Sequence, residues 1–392
     1  MTTHGMALYE AEQRAAAWLM AWDGQGVHRT GTEGDNAGAA WLAREAAALG
    51  AAPTIETFGL DRLDPRAACL EIGTQRIAGV PVFDAPDSGR DGIEGRLGPV
   101  DGGSEIGVAE LSPRAVYSGE FERLRRSGGN RGFVVVCAGE QPGLGLLNAE
   151  SFRHPYGTPA LHVASEARDA VLAAAARQMP ARLVSHSRRV PGEARNVVVA
   201  LSGTDPSAAP VVVMTPRSSW WQSTAERGGG LVCWLETLRA LLAAPPRAPV
   251  VLTANSGHEL GHLGLDDFIA RRSGWDRPVT EGGATWVHYG ANIGAAGGRL
   301  QLVAPQDDIR EIGLRELAGA GVPPDEVAPK NLVPSGETRD IHRAGGRYLT
   351  LVGTNSLFHL PQDRWPLSVD VAAVARVARA SARIVAGMTG SA

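Results

Sequence analysis

Four short segments of this sequence concentrate side chains that can do chemistry. His258-Glu259-Leu260-Gly261-His262 reads HExxH letter for letter. On a helix that spacing puts two imidazoles on one face, with a glutamate able to activate water. Gly261 lies inside the motif, and the motif directly follows an apolar strand-like run, so packing or capping stays open for His262. His258 is a candidate general base or acid, since an imidazole titrates near neutrality, with a structural histidine as the alternative. The segment TPRSSWWQSTAERGGG, 215–230, is the densest. Arg217 offers a planar fork suited to a carboxylate or an oxyanion. Trp220 and Trp221 can wall a pocket for an apolar substrate. Ser218, Ser219 and Ser223 are possible nucleophiles, but no G-x-S-x-G elbow surrounds them. The glycines 228–230 begin a helix, where free N–H groups favour anions, yet the lysine of a phosphate loop is missing. VHYGANIGA brings His288 to a strand end and Asn292 to a glycine-rich turn, where an amide can hold a substrate carbonyl. The closing stretch holds Glu337, Arg339, Asp340 and His342, read as a solvated charge cluster, and then His359.

These segments need a scaffold, and the apolar pattern supplies one. Residues 28–36 form a turn-rich stretch before a helix expected over about 37–49, with Asp35 or Asn36 as N-cap and Gly50 as stop. From about 61 to 190 short apolar runs alternate with Gly, Pro and Asp clusters, which predicts a strand-rich insert. After Gly192, apolar runs such as NVVVALSG, PVVVMTP, PVVLTAN and YLTLVG alternate with amphipathic helices. Helices are expected over about 229–244, 258–272 and 369–388. That alternation predicts an α/β three-layer sandwich with a mostly parallel central sheet. Residues 1–60 and 191–392 would form it, interrupted by the insert 61–190. In such sheets the working residues sit where strands end and helices begin, which is where the four segments fall.

Composition narrows the partners. The 392 residues carry a net charge of −4, so a broad nucleic-acid or membrane surface is not expected. Lys330 is the only lysine, an arginine bias read as genome composition. Cys69, Cys137 and Cys233 build neither a disulfide framework nor a CxxC metal site. The segment Met1–Trp22 reads as an amphipathic helix without the basic start and unbroken apolar core of a leader, and a cytoplasmic location is expected.

The order of motifs resembles the di-zinc aminopeptidase family, which also holds glutaminyl cyclases and glutamate carboxypeptidases. NVVVALSGTDP with PVVVMTP resembles its core strands and STAERGGG its "GAxDNASG" helix start. SGHELGHLGLDDF resembles its "EExGxxGS" stretch and FHLPQDRWP its closing "YHTPxDT" segment. TPALHVASEARDAVLAAA is similar to the protease-associated insert of such proteins. Carried over by position, the first zinc-binding His falls on Pro216, the bridging Asp on Glu226, the ligand Glu on Glu259, the second Asp near Ala291 and the last His on His359. His258 stands where the resemblance implies the general-base Glu. Pro216 and Ala291 supply no ligand, so the resemblance implies at most one zinc, on Glu226, Glu259 and His359, with a metal-free site preferred. His288 can replace the lost ligand or bind substrate.

The expected function is hydrolysis of an amide or peptide-like bond of a small substrate, without the paired zinc centre. Catalysis would rest on His258, Glu259, Glu226 and His288. Substrate binding would rest on Arg217, Ser218, Trp220, Trp221, Asn292 and His359, for a small molecule that is apolar with a carboxylate. A cyclase or lyase in the same pocket and a non-catalytic scaffold are the alternatives. The sequence sets no oligomeric state.

Overall fold

Alternation along the buried strands decides the architecture. Val197, Val199, Val211, Val213, Val250 and Leu252 belong to one core, and Val198, Val212, Met214 and Val251 to another on the opposite face. Side chains alternate with period two, so a run of consecutive valines needs cover on both sides. The structure, a computed structural model, describes residues 3–390 except 101 and 128. Met1 and Thr2, part of the expected first helix, lie outside the described residues.

In chain order the N-terminal part is helix α1 (Thr3–Asp23), helix α2 (Glu33–Ala48) and strand β1 (Thr54–Ile72). The insert then runs through β2 (Gln75–Pro81), β3 (Ile93–Pro99), β4 (Ile106–Leu111), α3 (Glu120–Ser127), β5 (Gly132–Cys137), β6 (Ala160–Val163) and α4 (Arg168–Ala176). Strand β7 (Pro180–Leu201) returns antiparallel along the whole of β1, so one long ribbon carries the insert. The rest is β8 (Val211–Pro216), α5 (Gly229–Ala243), β9 (Val250–Asn255), α6 (Leu263–Ala270), β10 (Thr285–Tyr289), β11 (Leu300–Val303), α7 (Asp307–Gly319), β12 (Glu326–Val327), α8 (Thr338–Arg343), β13 (Arg347–Gly353) and α9 (Val371–Thr389).

The main sheet has the order β1-β7-β9-β8-β10-β13-β11-β12. Its centre, β9-β8-β10-β13, is parallel, and β7 and β11 join it antiparallel. Helices α1, α2, α5, α7 and α9 give residues to the core on one face, and α6 and α8 to that on the other. The insert has cores of its own, one around Leu70, Leu97, Val134 and Leu183 and one around Phe121, Phe133 and Val135.

Local details depart from the sequence expectation in informative ways. Helix α2 starts at Glu33 because Thr32, not Asp35 or Asn36, is the N-cap, its hydroxyl accepting from the Asp35 N–H. Asp35 is thereby free for a buried role described below. The helix expected from 258 starts only at Leu263, after a short 3-10 turn over His258–Leu260. A Cβ at Gly261, which has a positive φ of 79°, would meet the Glu150 carbonyl of the insert at 2.6 Å. The glycines 228–230 are packing positions: a Cβ at Gly229 would lie 1.9 Å from the Ile293 carbonyl oxygen. Gly229→Ala is therefore expected to lose at least about 1–3 kcal/mol, the usual range for overpacking. Gly319→Ala, at the end of α7 with open space around it, is expected to leave stability unchanged or raise it by up to about 1 kcal/mol. Urea denaturation of the two variants checks this.

Candidate active site

Parallel register brings the four central strands to a common end. Pro216 pairs with Asn255, His288 with Met214 and Thr350, and Tyr289 with Leu351. The residues that follow them, with the α8 segment and the 355–363 loop, meet around one cavity of about 270 Å³. His258, His288, Ala291, Asn292, Glu337 and Thr350 line it, and Arg114 and Tyr117 close it from the insert. A larger cavity of about 520 Å³ adjoins it through Arg114 and Phe358, but neither histidine nor aspartate lines that one. His258, His288 and Glu337 belong to the smaller space.

Glu337 is the centre of the cluster. It is buried, its Oε1 lies 2.8 Å from His258 Nδ1, and its Oε2 lies 3.5 Å from His288 Nε2. Burial favours the protonated carboxyl, but the hydrogen bond with His258 favours the ionised form and holds Glu337 below the usual carboxylate range. Burial and then the Arg227 charge push His258 down to about 4, against the pull of Glu337. At neutral pH the ring is therefore neutral beside an ionised carboxylate. His288 Nδ1 meets the Thr338 hydroxyl at 2.6 Å, and Thr338 in turn meets Thr350. His262 packs 5.4 Å from His258, ring centre to ring centre, with its Nδ1 2.6 Å from Asp340 Oδ2. The two histidines of the HExxH letters thus meet, but through a left-handed His262 (φ 62°) instead of along one helix.

Glu226 forms a second buried cluster, outside the residues that line the cavity. The Arg227 guanidinium lies 2.7 Å from it and His359 Nε2 3.3 Å from it, all three buried. Burial would raise its carboxyl, but Arg227 and His359 hold it well below the usual range. Asp363 fixes its backbone, accepting from the Ala225 and Glu226 N–H groups. Ser223, His262, Asn292 and His359 all have positive φ. Such conformations cost non-glycine residues energy and gather at functional sites.

Several residues expected at the site belong to its framework. Arg217 is buried, ion-paired to Asp35 at 2.8 Å and bonded to the Arg195 carbonyl, so its fork is filled and does not reach substrate. Ser218 donates to Glu259 and accepts from the Gly257 and His258 N–H groups. Trp220 donates to Asn148 and packs edge-on to Phe83 in the core. Trp221 donates to the His359 carbonyl. Neither tryptophan lines the cavity. Glu259 spends its carboxylate on the Thr30 N–H, the Thr30 hydroxyl and the Ser218 hydroxyl. With both oxygens so occupied and the residue outside the cavity lining, it fits neither a base in the cavity nor a zinc ligand. Asn292 does line the cavity, but its amide nitrogen is used by the Gly353 carbonyl, leaving Oδ1 as an acceptor. It suits a substrate N–H better than the expected carbonyl. Glu337 is no solvated charge, and its tertiary burial had no signal beyond lying in a strand-end segment.

Sequence comparison finds no matching family model and no matching curated protein. Comparison with solved structures places the fold. A zinc aminopeptidase from Bacillus subtilis aligns with a TM-score of 0.76 at 14% identity, over 96% of this chain and 94% of its own. A peptidase M28 precursor from Shewanella amazonensis aligns with 0.74 at 15%, over 98% and 96%. An aminopeptidase from Aneurinibacillus sp. strain AM-1 aligns with 0.70 at 13%, over 95% and 93%. The chain therefore has the aminopeptidase fold over nearly its whole length. The zinc of such a neighbour has no matching donor set at the positions carried over from the resemblance. Pro216 and Ala291 lack donors, Glu259 is hydrogen-bonded away, and Arg227 already neutralises Glu226. Glu226 and His359 remain as a pair, without the third ligand expected of Glu259.

Breaking a buried ion pair strands the remaining charge at a cost of about 3–5 kcal/mol. Arg217→Met is expected to destabilise the fold by that amount in urea denaturation, identifying Arg217 as framework.

Proposed function

We propose that this chain hydrolyses an amide or peptide-like bond of a small substrate in the cavity at the strand ends, without a paired zinc centre. One observation carries the reading. His288 Nε2, Glu337 Oε2 and Asn292 Oδ1 are buried on residues lining the cavity, yet none has a hydrogen-bond partner. A buried group left unpaired costs about 1–3 kcal/mol, so a set of them marks a place meant to be filled. The aminopeptidase fold supports peptide-bond hydrolysis as the reaction class, although fold alone does not fix chemistry.

The roles follow from protonation. His258 Nδ1 donates to the ionised Glu337, which fixes the tautomer and leaves Nε2 with a lone pair. A neutral imidazole can take a proton from an attacking water, and Glu337 then steadies the imidazolium. His288 and the free Glu337 oxygen hold that water. Asn292 Oδ1 accepts from the substrate N–H. Glu226 stays ionised against Arg227 and His359 in the neighbouring buried cluster.

His258→Ala and Glu337→Gln are expected to lower kcat/KM on aminoacyl amides by about 10²–10⁴-fold, the usual worth of a general base, while each variant still unfolds in one cooperative urea transition. Unchanged turnover in both would remove the reaction from this cavity. Elemental analysis of the purified protein is expected to find fewer than two zinc ions per chain.

The pH profile follows from the lowered His258 value. The working form is the neutral ring, present above its folded pKa of about 4. Activity is therefore expected to stay level from pH 8 down to 5.5 and to fall as pH approaches about 4. An acid limb centred at the ordinary imidazole value of about 6.5 would contradict this.

A further inference from the structure

We infer that His258, His262 and Glu337 form a binding site for one divalent transition-metal ion, placed beside and not on the positions carried over from the zinc aminopeptidases. The three residues are buried and each offers a ligand atom within 4.8 Å of the others. Among the described residues this is the one such cluster of His, Cys, Asp and Glu.

The surroundings are those of a metal centre. His262 Nδ1 is held at 2.6 Å by Asp340 Oδ2. A ligating histidine nearly always gives its second ring nitrogen to such a carboxylate, which orients the ring and raises the basicity of the free nitrogen. Glu337 Oε2 and His288 Nε2 are buried, unpartnered and 3.5 Å apart. An ion bound to Glu337, with His288 at its edge, answers both vacant groups at once. Two imidazoles and a carboxylate are a ligand set that zinc takes at about 2.0–2.2 Å, with a fourth position left for water or substrate. No thiolate contributes, which favours zinc or cobalt(II) over copper(I).

The HExxH letters carry this site in an unexpected way. The helix that would align them is absent, and the 3-10 turn followed by left-handed Gly261 and His262 brings the imidazoles together instead. The third ligand is then Glu337, 75 residues beyond His262, and not the motif's own Glu259, whose carboxylate is occupied by Thr30 and Ser218. Arg227 closes the Glu226 side to a second cation.

The inference rests on the hydrolase reading only for the role of the ion: with it bound, His258 would serve as a ligand instead of a base, and the ion would make a bound water acidic near neutrality. Metal binding itself is independent of that reading. Equilibrium dialysis of the full chain against zinc, and cobalt(II) titration followed by visible absorption, test it directly. One ion per chain is expected, with tetrahedral or five-coordinate cobalt bands. His262→Asn, a residue tolerant of the left-handed backbone, and Glu337→Gln are expected to weaken binding at least 100-fold. Asp340→Asn, a partly exposed change that spares the ligands, is expected to weaken it about 10–100-fold. No binding by the intact chain overturns the site, as does binding unaffected by these changes but lost in His359→Gln. Binding without amide hydrolysis would keep the site and remove the hydrolase reading; chelator-resistant hydrolysis without binding would do the reverse.

Discussion

Two opposite charges sealed behind the strand ends, Glu226 and Arg227, set the terms for everything around them. Neither could be buried alone, because an isolated ion away from water is far too costly. Together they stay charged at 2.7 Å, and Arg227 anchors to the Ser218 carbonyl. Burial first, and then this guanidinium, push down His258, which meets its surroundings as a neutral ring. A positive side chain standing next to Glu226 balances its charge, while the neighbouring cluster at Glu337 keeps a carboxylate oxygen without a hydrogen-bond partner.

Holding such a cluster still takes a framework, and the N-terminal turn supplies much of it. Thr30 ties down Glu259, and Asp35 accepts from Gly31 and Ser256 while pairing with Arg217. These contacts fasten the loops after β8 and β9 to the turn before α2 and to the first turn of that helix. The insert adds Leu146, whose carbonyl lies 2.6 Å from His359 Nδ1 and orients that ring. Charged groups at the heart of the site thus owe their positions to residues that touch no substrate. Among the described residues no helix is long and apolar enough to cross a membrane.

Much of the scaffold was legible in the sequence because its cause is local. Four to six apolar residues in a row, bounded by Gly and Pro and followed by an amphipathic stretch, can satisfy burial only as covered strands with helices. The strand-end rule then pointed to the segments that hold His258, His288, Asn292 and His359. Boundaries slipped where a competing hydrogen bond or a left-handed backbone decided: Thr32 displaced the expected cap of α2, and the positive φ of Gly261 and His262 holds the start of α6 at Leu263.

Roles within the site were far less legible. Arg217 and Glu337 are both charged residues in glycine- or serine-containing loops, yet one became framework and the other the centre of the cavity. Nothing in residue type separates them; the difference is that Asp35 and the Arg195 carbonyl fill the Arg217 fork, while half of the Glu337 carboxylate is left unpaired. Likewise the letters HExxH suggested a helix with its own glutamate, but a 3-10 turn and a left-handed His262 bring the two imidazoles together while Thr30 and Ser218 occupy Glu259. Sequence by itself determined which strands would be buried and which segments would meet, since those depend on apolar pattern and strand order. Tertiary structure alone decided which polar atoms were consumed by partners and which stayed free, because that depends on contacts between residues tens to hundreds apart.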